Sequence, residues 1–362
     1  MLQSKLFRGM IWVLLLFVII WIGTDISFLF KPIAILITTL FFPIVVSGVF
    51  FYLFRPIVKQ LHKWKIPKVL AILIVYLFFA GMFTGATWAF GPELQQQVKG
   101  LVEGSPELAD DLKDKVEEWK QSPVVSRFMN SEMVKEKNLG EKLTGYISDV
   151  TSSASDYIFS FLSILTNILV ILILLPFVLF YMLKDGDRLP DAILRFLPEK
   201  HHEEGKRILN DMDEALSGFI QGQLIVSLFV GTFVYILYLI IDLKYALILA
   251  LVALFLNVVP FIGPIIGTAP SVIVALIDDP IKALYVIIGV AIIQQIESNL
   301  ISPQVMGRRL DMHPVTIIFL LLVASSLAGI LGLILAIPTY AVLKVIVLHT
   351  KRLIHLYGNR HA

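Results

Sequence analysis

Asn257-Val258-Val259-Pro260-Phe261-Ile262-Gly263-Pro264-Ile265-Ile266-Gly267-Thr268-Ala269-Pro270 is a Pro- and Gly-broken segment inside continuous apolar sequence. Apolar residues flank it from Tyr245 to Ile277, which is too long for one span of about 20 residues and too short for two spans with a loop. Pro260 and Pro264 interrupt helical bonding, and at membrane depth the freed backbone groups are satisfied only against protein or a water-filled cavity. The segment reads as the tip of a membrane hairpin and as a first candidate for a transport site, with Pro260, Gly263, Pro264 and Gly267 as gate residues.

The rest of the chain agrees with a membrane setting. It is 57% hydrophobic and 16% charged, with a mean hydropathy of +0.83, and several apolar runs reach the spanning length of about 18 residues. Lys5 and Arg8 precede an apolar run with no small-residue cleavage pattern after it, so it reads as a retained first helix. Lys and Arg are spread over loops, which argues against a nucleic-acid partner. Zero cysteines exclude disulfides and thiolate metal sites.

The predicted fold is an all-α polytopic membrane protein with six full transmembrane spans, two opposed re-entrant helical hairpins and a small extracytoplasmic helical domain. Residues 1–91 hold spans one to three, with a turn expected at Lys31-Pro32 and a stop at Gly91-Pro92. Residues 92–156 form the soluble outer domain, where Leu108, Leu112, Val116 and Trp119 recur at helical spacing. Residues 157–213 hold span four and a charged cytoplasmic loop. Its His201-His202-Glu203-Glu204 reads as a loop-like solvated patch, because adjacent helical residues diverge too far to share a metal. Span five and the first hairpin occupy 214–280, span six and a second hairpin 281–348, and a cytoplasmic tail 349–362. In the second hairpin Ser325-Ser326, Gly329, Gly332 and Pro338 interrupt the run. With both long runs as hairpins, the short outer loops hold only Lys31, Lys244 and Lys282, and the clusters from Arg55 to Lys68, from Lys184 to Arg207 and at Arg308-Arg309 fall inside, with both termini cytoplasmic.

Two units of the same design follow, each a span with buried amides and then a Gly-broken hairpin, entering from opposite sides. Opposed repeats with broken helices are the signature of secondary transporters. The polar groups of Gln221, Gln223, Asn257, Thr268, Gln294, Gln295, Ser325 and Ser326 are candidates to bind a small polyhydroxylated solute. Glu297 and Asn299 are candidates for proton or cation coupling, since an intramembrane carboxylate is costly. Glu297 is read equally as a cap or ion-pair partner of Arg308 or Arg309, and the glutamines as interhelical glue. No catalytic cluster, Walker loop or nucleophile elbow occurs, so neither an enzyme nor direct ATP drive is expected, nor any cofactor or metal. A non-transport scaffold working through its outer domain is the remaining alternative.

Phe180-Tyr181-Met182-Leu183-Lys184-Asp185-Gly186-Asp187, Pro260-Phe261-Ile262-Gly263-Pro264, Glu297-Ser298-Asn299-Leu300-Ile301-Ser302-Pro303-Gln304-Val305-Met306-Gly307 and Gly329-x-x-Gly332-x-x-x-x-x-Pro338 together resemble the autoinducer-2 exporter family, the bacterial PerM-like permeases. The resemblance covers nearly the whole chain and is strongest after Tyr157. It implies a multi-pass transporter of the bacterial inner membrane whose two hairpins move in an elevator-like way. It also implies a homo-oligomer, with a pentamer among its forms, and partners comprising the lipid bilayer, a small polar solute such as autoinducer-2, and H+ or Na+ where transport is ion-coupled. Cation/proton antiport is the alternative it leaves open.

Overall fold

An apolar run deprived of water must satisfy its backbone internally, and a helix does so within one segment. The computed structural model describes residues 11–12, 14–15, 27–103, 174–306 and 313–358, and their regular structure is entirely helical. Five stretches are long and apolar enough to cross a membrane: Thr39–Lys63, Lys68–Leu101, His202–Ile240, Pro280–Met306 and Gly332–His349. Large apolar side chains such as Leu77, Phe83, Ile240 and Ile292 stand exposed on them. Exposure over so much surface suits contact with lipid and not with water.

Three helices make an N-terminal unit: α1 (Ser27–Lys63), α2 (Lys68–Glu103) and α3 (174–185). Phe51, Phe54 and Val58 recur at i, i+3 and i+7 on α1 and bury against Ala71, Ile72 and Val75 of α2 and Leu179 and Leu183 of α3. Phe54 stacks on Phe79 with ring centroids 4.2 Å apart. The Tyr76 hydroxyl donates to the Pro176 carbonyl at 2.8 Å.

After the short α4 (Leu189–Leu194) comes the central helix α5 (His202–Ile240). Its buried residues, among them Phe219, Gln223, Val226, Val230, Val234 and Tyr238, keep a helical period along one stripe. Thirty-nine residues give a rod of about 58 Å, roughly twice the hydrocarbon thickness, so its polar first turns extend beyond the apolar layer. α6 (Ala246–Leu256) and α7 (Ile262–Asp278) pack back on α5 as one helical hairpin. α8 (Pro280–Ile296) runs on through a π-helical turn, Glu297–Ile301, into Ser302–Met306. Pro303 has no N–H for the carbonyl of Asn299, and a π turn is one way a helix absorbs that loss. A second hairpin follows, α9 (Val315–Gly329) and α10 (Gly332–His349), divided by non-helical backbone at Ala328 and Gly329.

Four sequence expectations are corrected. Lys31-Pro32 makes no turn, since both lie inside α1, and Pro32 keeps a helical φ at the loss of one bond. Gly91-Pro92 does not end the third run. Helix continues to Glu103 because Leu94, Val98 and Leu101, at i, i+4 and i+7, pack against the core around the first hairpin. The polar segment before Glu214 is the start of α5 and not a loop, with Glu203 and Glu204 in its first turn, where the helix dipole favours carboxylates. Span six, read from the sequence as Ile281 to Leu300, continues as helix to Met306. The first span, most of the outer domain, much of span four, and Arg308 and Arg309 lie outside the described residues.

Candidate functional site

Two of the helix breaks among the described residues, those at the hairpin tips, are built alike. In the first hairpin Phe261 has φ 65°, and Gly263 follows with its Cα so close to the Leu256 carbonyl that any side chain would collide with it. One turn on, a Cβ at Gly267 would lie 2.9 Å from the Ala253 Cα, so the arms stay in backbone contact. In the second hairpin Gly329 has φ 57°, and Gly332 lies against the Ala324 carbonyl in the same manner. Pro264 sits in the first turn of α7, where a missing N–H costs no intrahelical bond. The Pro260 carbonyl accepts from the Ile262 N–H at 2.8 Å.

Polar groups meet the first tip from α5. Gln223, 5% exposed, donates Nε2–H to the Asn257 carbonyl at 2.6 Å, and the Asn257 amide reaches the buried Ser227 hydroxyl at 3.5 Å. One turn below, Phe219 forms an apolar cluster with Val259 of that tip and Ile317, Leu321, Ala336 and Ile337 of the second hairpin. Val259 of the first tip and residues from both arms of the second hairpin thus share one apolar cluster with Phe219 of α5, and a polar cluster lies one turn away along that helix.

This pairing of broken hairpins on one mast, within a chain of spanning helices, accords with the profile of the AI-2E family of transporters, which matches residues 10–352. The chain belongs to the AI-2E transporter family. It is 41% identical to the "Putative transport protein YueF" of Bacillus subtilis over 98% of this chain and 96% of the relative. It is 32% identical to that organism's "Putative transport protein YrrI", over 95% and 97% of the two chains. The "AI-2 transport protein TqsA" of Escherichia coli is 21% identical over 80% of each chain. AI-2E relatives are thus named as transport proteins and not as enzymes, and this member is a multi-pass membrane protein of that family.

Within this AI-2E member the candidate residues separate by environment. Gln223 and Asn257 come together. Gln221 instead ties α5 to α1, donating to the Tyr52 carbonyl at 2.8 Å and the Ser217 hydroxyl at 2.9 Å. Thr268 donates to its own helix at the Pro264 carbonyl, 2.6 Å away. Gln294 has a buried Nε2 without a partner among the described residues, while its carbonyl accepts from Ser298. Gln295 on α8 and Asn299 in the π turn are exposed. Glu297 is half-buried where the π turn begins. Ser325 is half-buried, and the exposed Ser326 donates to the Val323 carbonyl at 2.9 Å.

Sequence reasoning missed three contributors. Ser227 was signalled by its place one turn beyond Gln223, within an apolar run. Gln97 was concealed by the apparent stop at Gly91-Pro92, yet its Oε1 accepts from the Leu247 and Ile248 N–H groups, both at 3.1 Å, and caps α6. His349 carried no sequence signal. It bridges Glu204 at 3.1 Å and Asp211 at 2.8 Å, fastening the end of α10 to the polar turns of α5.

Proposed function

We propose that this protein is a secondary transporter that exports a small polar solute of the autoinducer-2 type through movement of its two hairpins. The observation that carries the reading is the pair of glycine-closed breaks, whose hairpins share an apolar cluster with Phe219 of α5 beside the buried Gln223–Asn257–Ser227 cluster. Mixed donors and acceptors suit a hydroxylated solute, and the buried Gln294 Nε2 is a further donor a solute would satisfy. The hairpins enter the membrane from opposite faces, as inverted repeats, and an elevator-like displacement exchanges access. Six full spans accompany them, both termini face the cytoplasm across the bacterial inner membrane, and the protein works as a homo-oligomer. The similarity to TqsA, an AI-2 transport protein, supports the solute class.

Cation/proton antiport is the second reading, favoured by Glu297 at a π turn, a feature that recurs at functional sites. Proteoliposome flux of autoinducer-2, measured beside sodium-driven proton movement, separates the two. Solute export predicts autoinducer-2 flux that largely survives Glu297→Gln. Antiport predicts pH-dependent sodium exchange that this substitution abolishes. Failure of both fluxes in well-folded protein would sink the transport reading.

A further inference from the structure

α4 and the turn after it carry a surface that neither hairpin uses. Leu189, Ile193 and Phe196 recur at i, i+4 and i+7, all exposed, with Phe196 at 92%. Leu194 beside them is buried, so close to Gly205 of α5 that a Cβ there would come within 2.6 Å of it. The segment is therefore fixed to α5 by one side and presents apolar side chains on another. Its acid, Asp191, lies about 200° around the helix from Leu189. The exposed apolar residues follow those of α3, where Phe177 and Tyr181 stand one turn apart.

Cations frame this surface. Arg188 and Arg195 belong to the segment itself, and the Arg188 side chain is 86% exposed, with a long 3.7 Å contact to Asp185. A second element reaches the same level. Lys68 Nζ bonds the Lys184 carbonyl and Asp187, each at 2.7 Å, which sets the α1–α2 turn beside the start of α4. That turn holds Trp64, 66% exposed, between Lys63 and Lys65. An aromatic between cations is the composition of the membrane–water boundary.

We propose that α4, Phe196 and the Trp64 turn form an in-plane collar that binds anionic phospholipid at the basic end of the helices. Leu189, Ile193 and Phe196 enter the acyl boundary, and Lys63, Lys65, Arg188 and Arg195 meet the phosphates. A second copy of the chain fits the surface less well, because pairing like with like brings the cations together.

The chain has no cysteine, so Phe196→Cys and, as control, the exposed Asn210→Cys are each labelled with bimane in full-length protein. The protein is reconstituted in phosphatidylcholine vesicles with and without phosphatidylglycerol. Lipid-borne nitroxide should quench the label at 196 at least about threefold more than at 210, with aqueous iodide giving the reverse order. Phosphatidylglycerol should strengthen insertion, and Arg188→Gln and Arg195→Gln should each lower the ratio of inserted to released label by about fivefold. Iodide reaching both positions equally, or indifference to phosphatidylglycerol, overturns the proposal. So does a label shielded from both quenchers together with disulfide dimers of the unlabelled Phe196→Cys chain, which would assign the surface to a second copy.

Discussion

The two hairpins close by the same backbone device and are held by different forces. The first is held by polar bonds at both ends, with Gln223 on the Asn257 carbonyl at its tip and Gln97 on the N-terminus of α6 at its foot. The second makes only a local bond at its tip among the described residues, from Ser326 to its own helix, and is otherwise packed through Leu321, Ala336 and Ile337. Its polar attachment is distant, at His349. Directional bonds fix a position, whereas apolar contacts among similar side chains permit sliding at small cost. The second hairpin is accordingly the freer one at its tip and the tethered one at its base.

The largest effects are expected where the tips are alike. Gly263→Val and Gly332→Val each drive a Cβ into a backbone carbonyl that no rotamer change relieves. Each should abolish flux and lower the thermal midpoint in detergent, at a cost of about 3 kcal/mol or more. An unchanged midpoint for either variant would remove backbone closure from that tip. The next pair separates the hairpins. Gln223→Leu strips the buried Asn257 carbonyl of its donor and should cost about 1–3 kcal/mol. Ser326→Ala, at an exposed intrahelical bond, should stay within about 0.5 kcal/mol, and equal midpoints would break the comparison.

Backbone strain separates them again. Gly329→Ala should cost about 1–3 kcal/mol, because its positive φ with a strongly negative ψ is backbone nearly confined to glycine, while Phe261→Gly relieves strain that a phenylalanine now bears and should leave the midpoint unlowered. A smaller, local effect belongs to the cap: Gln97→Ala should cost about 1 kcal/mol. It should speed hydrogen exchange at the Leu247 and Ile248 amides and leave the second hairpin's amides unchanged.

The smallest effect lies away from both tips, at Asp187. Burial works to raise its pKa, but the Lys68 hydrogen bond and charge, with Lys59 and Arg55 adding, hold the carboxyl below its ordinary value. A depressed carboxyl stabilises the fold above the usual Asp range and loses that contribution as pH falls through its folded value. With the pair partly exposed, Lys68→Met should cost less than about 0.5 kcal/mol at neutral pH, and the difference should vanish in acid.

The all-helical membrane class was legible because it rests on composition and on long apolar runs. Pro260, Gly263, Gly329 and Gly332 stand at the helix breaks, where Gly263 and Gly332 admit the close approach of a carbonyl and Gly329 takes a positive φ. Helix ends were less legible. Pro32 and Pro92 look like stops in sequence, but packing of Leu94, Val98 and Leu101 outweighs one lost bond. The polar start of α5 lacked apolar patterning strong enough to separate helix from loop. Among site residues, type was readable and direction was not: Gln221 and Gln223 differ by two positions, which turns one toward Tyr52 and the other toward Asn257.

The continuity of α2 through Gly91-Pro92 carries a mechanical consequence. The part of the chain that emerges from the apolar layer and the foot of the first hairpin share one stiff rod, joined at Gln97. A torque applied to the emergent end is delivered to the α6 N-terminus without passing through a joint, so the first hairpin is geared to events at that surface while the second is geared, through His349, to the opposite end of α5.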